Sequence, residues 1–161
     1  MKKIAFGGGC HWCTEAVFES LRGVNKVEQG WVNSTDEEAQ SLSEAVIVHF
    51  HEDLIPLEIL IKIHLLTHNA TSNHSMREKY RSAIYTFSKE QKELSQAILT
   101  EEQKLFDKPL ITQVYPFESF KLNKETFLHY YKSNPDKPFC KRYIKPKLQL
   151  LLEKYADHVK L

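Results

Sequence analysis

What this sequence lacks excludes several classes of protein before any motif is considered. It has no run of about 18 apolar residues, so no membrane-spanning helix is expected. Its start, MKKIAFGGGC, places three apolar residues between the lysines and the glycines. A secretory signal core needs roughly 7–15, and a lipidated cysteine at position 10 would need an apolar stretch before it, so neither export nor anchoring is expected. An excess of charge is also missing: 22 Lys and Arg face 21 Asp and Glu. No strong field then draws in nucleic acid or an anionic membrane, and the substrate need not be charged.

Cysteine is scarce. Three residues cannot all pair within one chain, and 161 residues bury a core without a disulfide framework. Free thiols in the reducing cytoplasm are the expectation. Repeats, low-complexity tracts and linkers are absent too, so residues 1–161 read as one domain, expected to act as a monomer.

Lys3–Phe6 read as a short strand, Gly7–Gly9 as a turn that brings backbone close to a ligand, and His11–Arg22 as a helix. Ala16, Val17, Phe18 and Leu21 recur there at helical spacing, with Gly23 as C-cap. Strands follow at Val24–Val32 and Glu44–Phe50, the second with Val46, Val48 and Phe50 on one face, joined by a polar loop. Pro56 opens a helix to about Leu66, and Ser82–Phe87 is a further strand. This βαββαβ order is that of split βαβ, ferredoxin-like domains. Ser88 caps a helix over Lys89–Phe106. A strand near Ile111–Tyr115 and helices near Glu125–Tyr131 and Ile144–Tyr155 complete an α+β, two-layer fold with a mixed sheet flanked by helices.

Cys10 follows the glycine turn at the start of a helix, where unpaired amides and the helix dipole favour negative charge. A thiolate is the reactive form of cysteine, so this placement marks a nucleophile. Taken alone, such a cysteine also fits as a small buried residue in a tight turn. Cys13, three residues on, lies near the same face of the first turn, and Cys-x-x-Cys is a redox signal. Zinc competes for this pair, with His11, His49, His64, His68 or His74 to complete the set. No second Cys-x-x-Cys or well-spaced His pair supports a closed site, so no metal is expected.

The run GGGCHWCTEAVFESLRGV resembles the signature of the peptide methionine sulfoxide reductase A family, in which Gly-Cys-Phe-Trp carries the catalytic cysteine. SEAVIVHFHED, KYRSAIYTFSKEQK and NPDKPFCKRYIKPKL are similar to three further family segments, in the same order and spanning nearly the whole chain. The resemblance implies that Cys10 attacks the sulfoxide sulfur, releasing methionine and leaving a sulfenic acid. Glu44 then matches the general acid, a carboxyl kept neutral by a partly apolar site. Tyr80 matches a hydroxyl that binds the sulfoxide oxygen, and Trp12 an aromatic lining the methyl pocket. A second thiol must resolve the sulfenic acid, giving a disulfide that a thioredoxin-like reductant opens without an organic cofactor. Cys13 is adjacent and preferred; Cys140 is the other candidate, in a segment resembling one that carries a resolving cysteine.

Several positions depart from the family pattern. His11 replaces the aromatic after the nucleophile and introduces a group titrating near neutral pH. Trp31 stands where a second oxygen-binding tyrosine is expected and donates only from its ring nitrogen. Ser75 falls at an Asp position, and the Glu-x-x-His pattern becomes Glu125 and Leu128, with His129 one place on. These changes keep open a thiol-disulfide oxidoreductase or redox sensor using Cys10 and Cys13, and a module that only binds Met-containing peptides.

Overall fold

The computed structural model describes residues 1–160. Five strands, β1 (Lys2–Gly7), β2 (Val24–Ser34), β3 (Ser43–Phe50), β4 (Ala83–Thr86) and β5 (Gln113–Leu122), form one sheet. Five α-helices accompany it: α1 (His11–Glu19), α2 (Leu57–Thr67), α3 (Lys89–Gln103), α4 (Tyr130–Ser133) and α5 (Lys145–Tyr155). β1 lies antiparallel between β3 and β4, and β3 antiparallel to β2. β5 pairs antiparallel with β2 and parallel with β4, so the hydrogen-bonded order closes on itself. The parallel pair is joined through α3, as a crossover requires.

Alternation along the strands sorts the core into two clusters. Ile4 and Phe6 of β1, Val46, Val48 and Phe50 of β3 and Ile84 of β4 pack with Val17, Phe18 and Leu21 of α1 and Leu60 and Ile61 of α2. Phe6 stacks on Phe18 with ring centres 4.8 Å apart. The intervening residues Ala5, Ala45, Ile47, Ala83 and Tyr85 form the second cluster, with Val32 and Tyr115. Three of these are alanines, small enough for a sheet that curves around on them. With both faces covered, six of the eight β3 residues in succession are buried.

Several boundaries differ from expectation. The first helix stops at Glu19, because Gly23 at φ 89° belongs to the turn into β2 rather than to the helix cap. The last strand begins at Gln113 and runs to Leu122, well past Tyr115. The helix expected over Glu125–Tyr131 is a single 3-10 turn, Glu125–Phe127, followed by α4. Between them Leu128 is extended and His129 is left-handed at φ 54°, because the His129 and Tyr130 amides turn inward to the Glu15 carboxylate, at 2.9 and 3.1 Å. Helix α5 is preceded by a π turn, Cys140–Ile144.

Candidate active site

The site is assembled where β1 ends. Gly8, at φ 155°, turns the chain beside His68, and a Cβ there would fall 2.5 Å from the imidazole Cδ2. The turn is pinned on both sides: His64 Nε2 lies 2.7 Å from the Gly7 carbonyl, and Arg77 donates to the Gly8 carbonyl at 2.8 Å. Arg77 also donates to the carbonyls of Asn69, Ser72 and Tyr80, so one guanidinium ties the loop before β4 to the turn before Cys10. Ser75 is exposed in that loop.

Cys10 occupies the N-cap of α1, its carbonyl accepting from the Cys13 and Thr14 amides. Its thiol is lowered to about 7, first by a hydrogen bond from the Cys13 thiol, against burial, and further by the Trp12 amide and His11. Cys13 moves the other way: its proton is held by Cys10, and burial adds to the cost of ionising it. Cys140 is fully buried in the same apolar cluster as Cys13, Ala16 and Ile144, and burial raises its thiol too. All three cysteines are free. Behind Cys10 and Cys13 a cavity of about 50 Å³ is closed by His64, His68, Thr67 and Lys147. Lys147 donates to the Thr67 carbonyl, and both thiols favour its charge against burial. A surface depression of about 710 Å³ lies elsewhere, between Glu37, Arg77, Arg81 and Tyr115.

Glu44 reaches the site from β3, directly opposite Trp31 of β2 in the strand register. It is 5% exposed, and its Oε1 accepts from the His11 amide at 3.2 Å and lies 2.5 Å from His11 Nδ1. Lys79 Nζ is 3.7 Å from the other oxygen, Oε2. Burial raises the Glu44 pKa, but the hydrogen bonds from the His11 side chain and backbone, with the Lys79 charge, outweigh it and hold the carboxyl below its ordinary value. This corrects the expectation of a carboxyl kept neutral by apolar surroundings: the replacement of an aromatic by His11 supplies the polar partner. Tyr80, half-buried, adjoins Lys79, whose ammonium sits 5.1 Å over its ring. Trp31 packs its ring 5.1 Å from His11. Trp12 stacks flat on Tyr130 at 4.1 Å with Phe139 edge-on, so it forms the wall between Cys10 and the C-terminal segment.

The structure thus brings Cys10, Cys13, His11, Trp12, Trp31, Glu44 and Cys140 into one neighbourhood, with Tyr80 joined through Lys79. It also adds residues that sequence reasoning missed. His11 Nε2 is 3.1 Å from Asn123 Nδ2, which donates to Gln29 Oε1 at 2.7 Å; Gln29 donates in turn to Glu15 Oε1 at 3.0 Å. No spacing signals this chain, because its members come from α1, β2 and the segment after β5. The histidines weighed as zinc ligands are otherwise engaged: His49 with Glu28, His64 and His68 with backbone carbonyls, His74 with the Met76 amide. Cys10, His11 and Glu44 do offer donor atoms within 4.8 Å of one another. The Asn123 amide nitrogen beside Nε2 makes that atom the acceptor and places the ring proton on Nδ1, the atom facing Glu44.

No helix among the described residues is long and apolar enough to cross a membrane. The family model for peptide methionine sulfoxide reductase matches residues 2–160. Peptide methionine sulfoxide reductase MsrA of Deinococcus radiodurans is 32% identical over 99% of this chain and 84% of its own length. The MsrA of Campylobacter jejuni strain RM1221 is 36% identical over 92% of this chain and 97% of its own. Among solved structures, reduced Mxr1 from Saccharomyces cerevisiae superposes with a TM-score of 0.74 at 21% identity, covering 86% of this chain and 88% of that one. Methionine sulfoxide reductase A of Corynebacterium diphtheriae gives 0.73 at 19% identity, covering 83% and 75%. Sequence and fold agree, and the chain belongs to the peptide methionine sulfoxide reductase family.

Proposed function

We propose that this chain reduces methionine S-sulfoxide, free or in proteins, with Cys10 as nucleophile. The observation that carries the reading is the meeting, within 4.8 Å, of a thiol lowered to about 7 and a buried carboxyl group. The Cys10 thiolate attacks the sulfoxide sulfur to form an S–S bond while the oxygen takes up one proton; the hydroxyl then passes to the Cys10 sulfur as the S–O and S–S bonds break, giving methionine and a cysteine sulfenic acid. Glu44 is the proton's source, used in the small fraction that is protonated while Cys10 is ionised. The Tyr80 hydroxyl helps to bind the sulfoxide oxygen, and Trp12 and Trp31 flank the methyl group.

Cys13 then attacks the Cys10 sulfur and expels water, leaving a disulfide. Once Cys10 carries oxygen it no longer holds the Cys13 proton as a thiolate does, which favours this thiol for the step. Cys140, packed in the same cluster, relays the disulfide outward to a thioredoxin-like dithiol. Mxr1 of Saccharomyces cerevisiae has been crystallised in complex with Trx2, which supports a reductant of that class. We take the protein to work as a single domain and a monomer in the cytoplasm, independent of nucleic acid and membranes; its balanced charge supports this. The antiparallel order β4–β1–β3–β2 supports a ferredoxin-like reading of the sheet.

The test is to incubate the protein with dithiothreitol and each sulfoxide epimer and to measure methionine. Consumption of the S epimer alone is expected, abolished in Cys10→Ser and lowered about 10²–10⁴-fold in Glu44→Gln. Disulfide exchange without methionine release would instead favour a thiol oxidoreductase.

A further inference from the structure

The two ring nitrogens of His11 face different partners, and the identity of each is dictated from a distance. Gln29 Nε2 donates to the Glu15 carboxylate and the Phe127 carbonyl, both at 3.0 Å, neither of which can donate. Gln29 therefore turns its carbonyl oxygen toward Asn123, which donates to it at 2.7 Å. The other end of the Asn123 amide agrees, since its Oδ1 accepts the Lys124 N–H at 2.8 Å. Asn123 thus presents an N–H to His11 Nε2 at 3.1 Å. Nε2 is the accepting nitrogen, and the ring proton sits on Nδ1, aimed at Glu44.

On Glu44 the consequences are unequal for its two oxygens. The Nδ1 proton and the His11 backbone N–H both converge on Oε1. Oε2 receives neither; its neighbour at 3.7 Å is Lys79, whose side chain is 56% exposed and whose ammonium lies over the Tyr80 ring.

We propose that His11 is a positioning residue for Glu44: fixed as the Nδ1–H tautomer through Asn123 and Gln29, it occupies Oε1 and leaves Oε2 to carry the proton to the sulfoxide oxygen. This rests on the reading of Glu44 as proton donor. In the balanced step, the methionine sulfoxide, the Cys10 thiolate and a Glu44 carboxyl protonated on Oε2 enter, and methionine, the Cys10 sulfenic acid and a Glu44 carboxylate leave. An added proton goes to the carboxyl because protonating Nε2 would set two N–H groups against each other at Asn123. The charged or titratable groups around His11 are Glu44 from β3, Cys10 on its own turn, Lys79 through Glu44, and Glu15 beyond Gln29. Trp12 and Trp31 contribute uncharged faces.

Three measurements on the full-length protein test this. ¹⁵N spectra of labelled histidine at neutral pH should give His11 an unprotonated Nε2 and a protonated Nδ1. Asn123→Asp, which replaces the donor by an acceptor, should move the proton to Nε2 and lower kcat by up to about 10²-fold, the lower end of what a general acid supplies, with KM little changed. His11→Phe should shift the acidic limb of the pH–rate profile to higher pH. The reactive state holds one proton between Cys10 and Glu44, and Glu44 without His11 loses the main partner of its charged form. A protonated Nε2 in the unaltered protein, or an acidic limb unmoved in His11→Phe, overturns the proposal alone. Full activity in Glu44→Gln overturns the proton-donor reading beneath it.

Discussion

At Cys10 two hydrogen-bond donors and the neighbouring His11 act against burial, and their balance is directly measurable. The rate of alkylation by iodoacetamide should rise with pH through a midpoint near 7, set by the Cys13 thiol, the Trp12 amide and His11. Cys13→Ala removes the largest of these and should move the midpoint up. Glu44 gives a second pH signature at this scale. Its folded pKa lies below the ordinary carboxylate value, so its contribution to stability is present above that value and is lost as pH falls through the folded one. Urea unfolding of Glu44→Gln should therefore lose less stability than the unaltered protein as pH falls below the ordinary carboxylate value. Residues were legible in the sequence where a short motif carried them: Cys10, Cys13 and Trp12 share four consecutive positions, and Glu44 opens a strand of its own pattern. Asn123 and Gln29 were not, because they act 112 and 18 residues from His11, through contacts that only the sheet creates.

Among the elements, α1 ties the site to the core. Its Phe18 lies flat on Phe6 of β1, fully buried, and Phe18→Ala should cost about 3–5 kcal/mol in urea unfolding. Helix α5 reaches the site from the opposite end of the chain, through Lys147. Replacing it by Met keeps the packing and removes the charge that favours an ionised Cys13. Rapid-quench measurements should show an unchanged burst of methionine and slower formation of the first disulfide; a slower burst would mean that Lys147 serves Cys10 instead. The strands β1 to β4 and helices α2 and α3 were visible in the sequence because apolar spacing, Pro56 and Ser88 mark them locally. The Ser88 hydroxyl does accept the Gln91 amide at 3.1 Å. The segment after β5 was misread as helix because its course is set by the buried Glu15 carboxylate, which pulls two backbone amides out of helical register.

Over the whole molecule, the arrangement couples distant segments to one turn. Arg77 clasps four carbonyls across the glycine turn and the loop that carries Lys79 and Tyr80, so Cys10 and the Tyr80 side of the site are held as one unit. The closing of the sheet by β5 has a different consequence. Each of the five strands has a hydrogen-bonded neighbour on both sides over at least part of its length, β5 covering Gly30–Ser34 of β2 and all of β4, so the open border of the sheet is shortened. Proteins bearing oxidised methionines are often loosened, with stretches of chain free to add onto any open strand. An enzyme that handles such chains gains from offering them the thiol of Cys10 and only a short free strand border on which to aggregate.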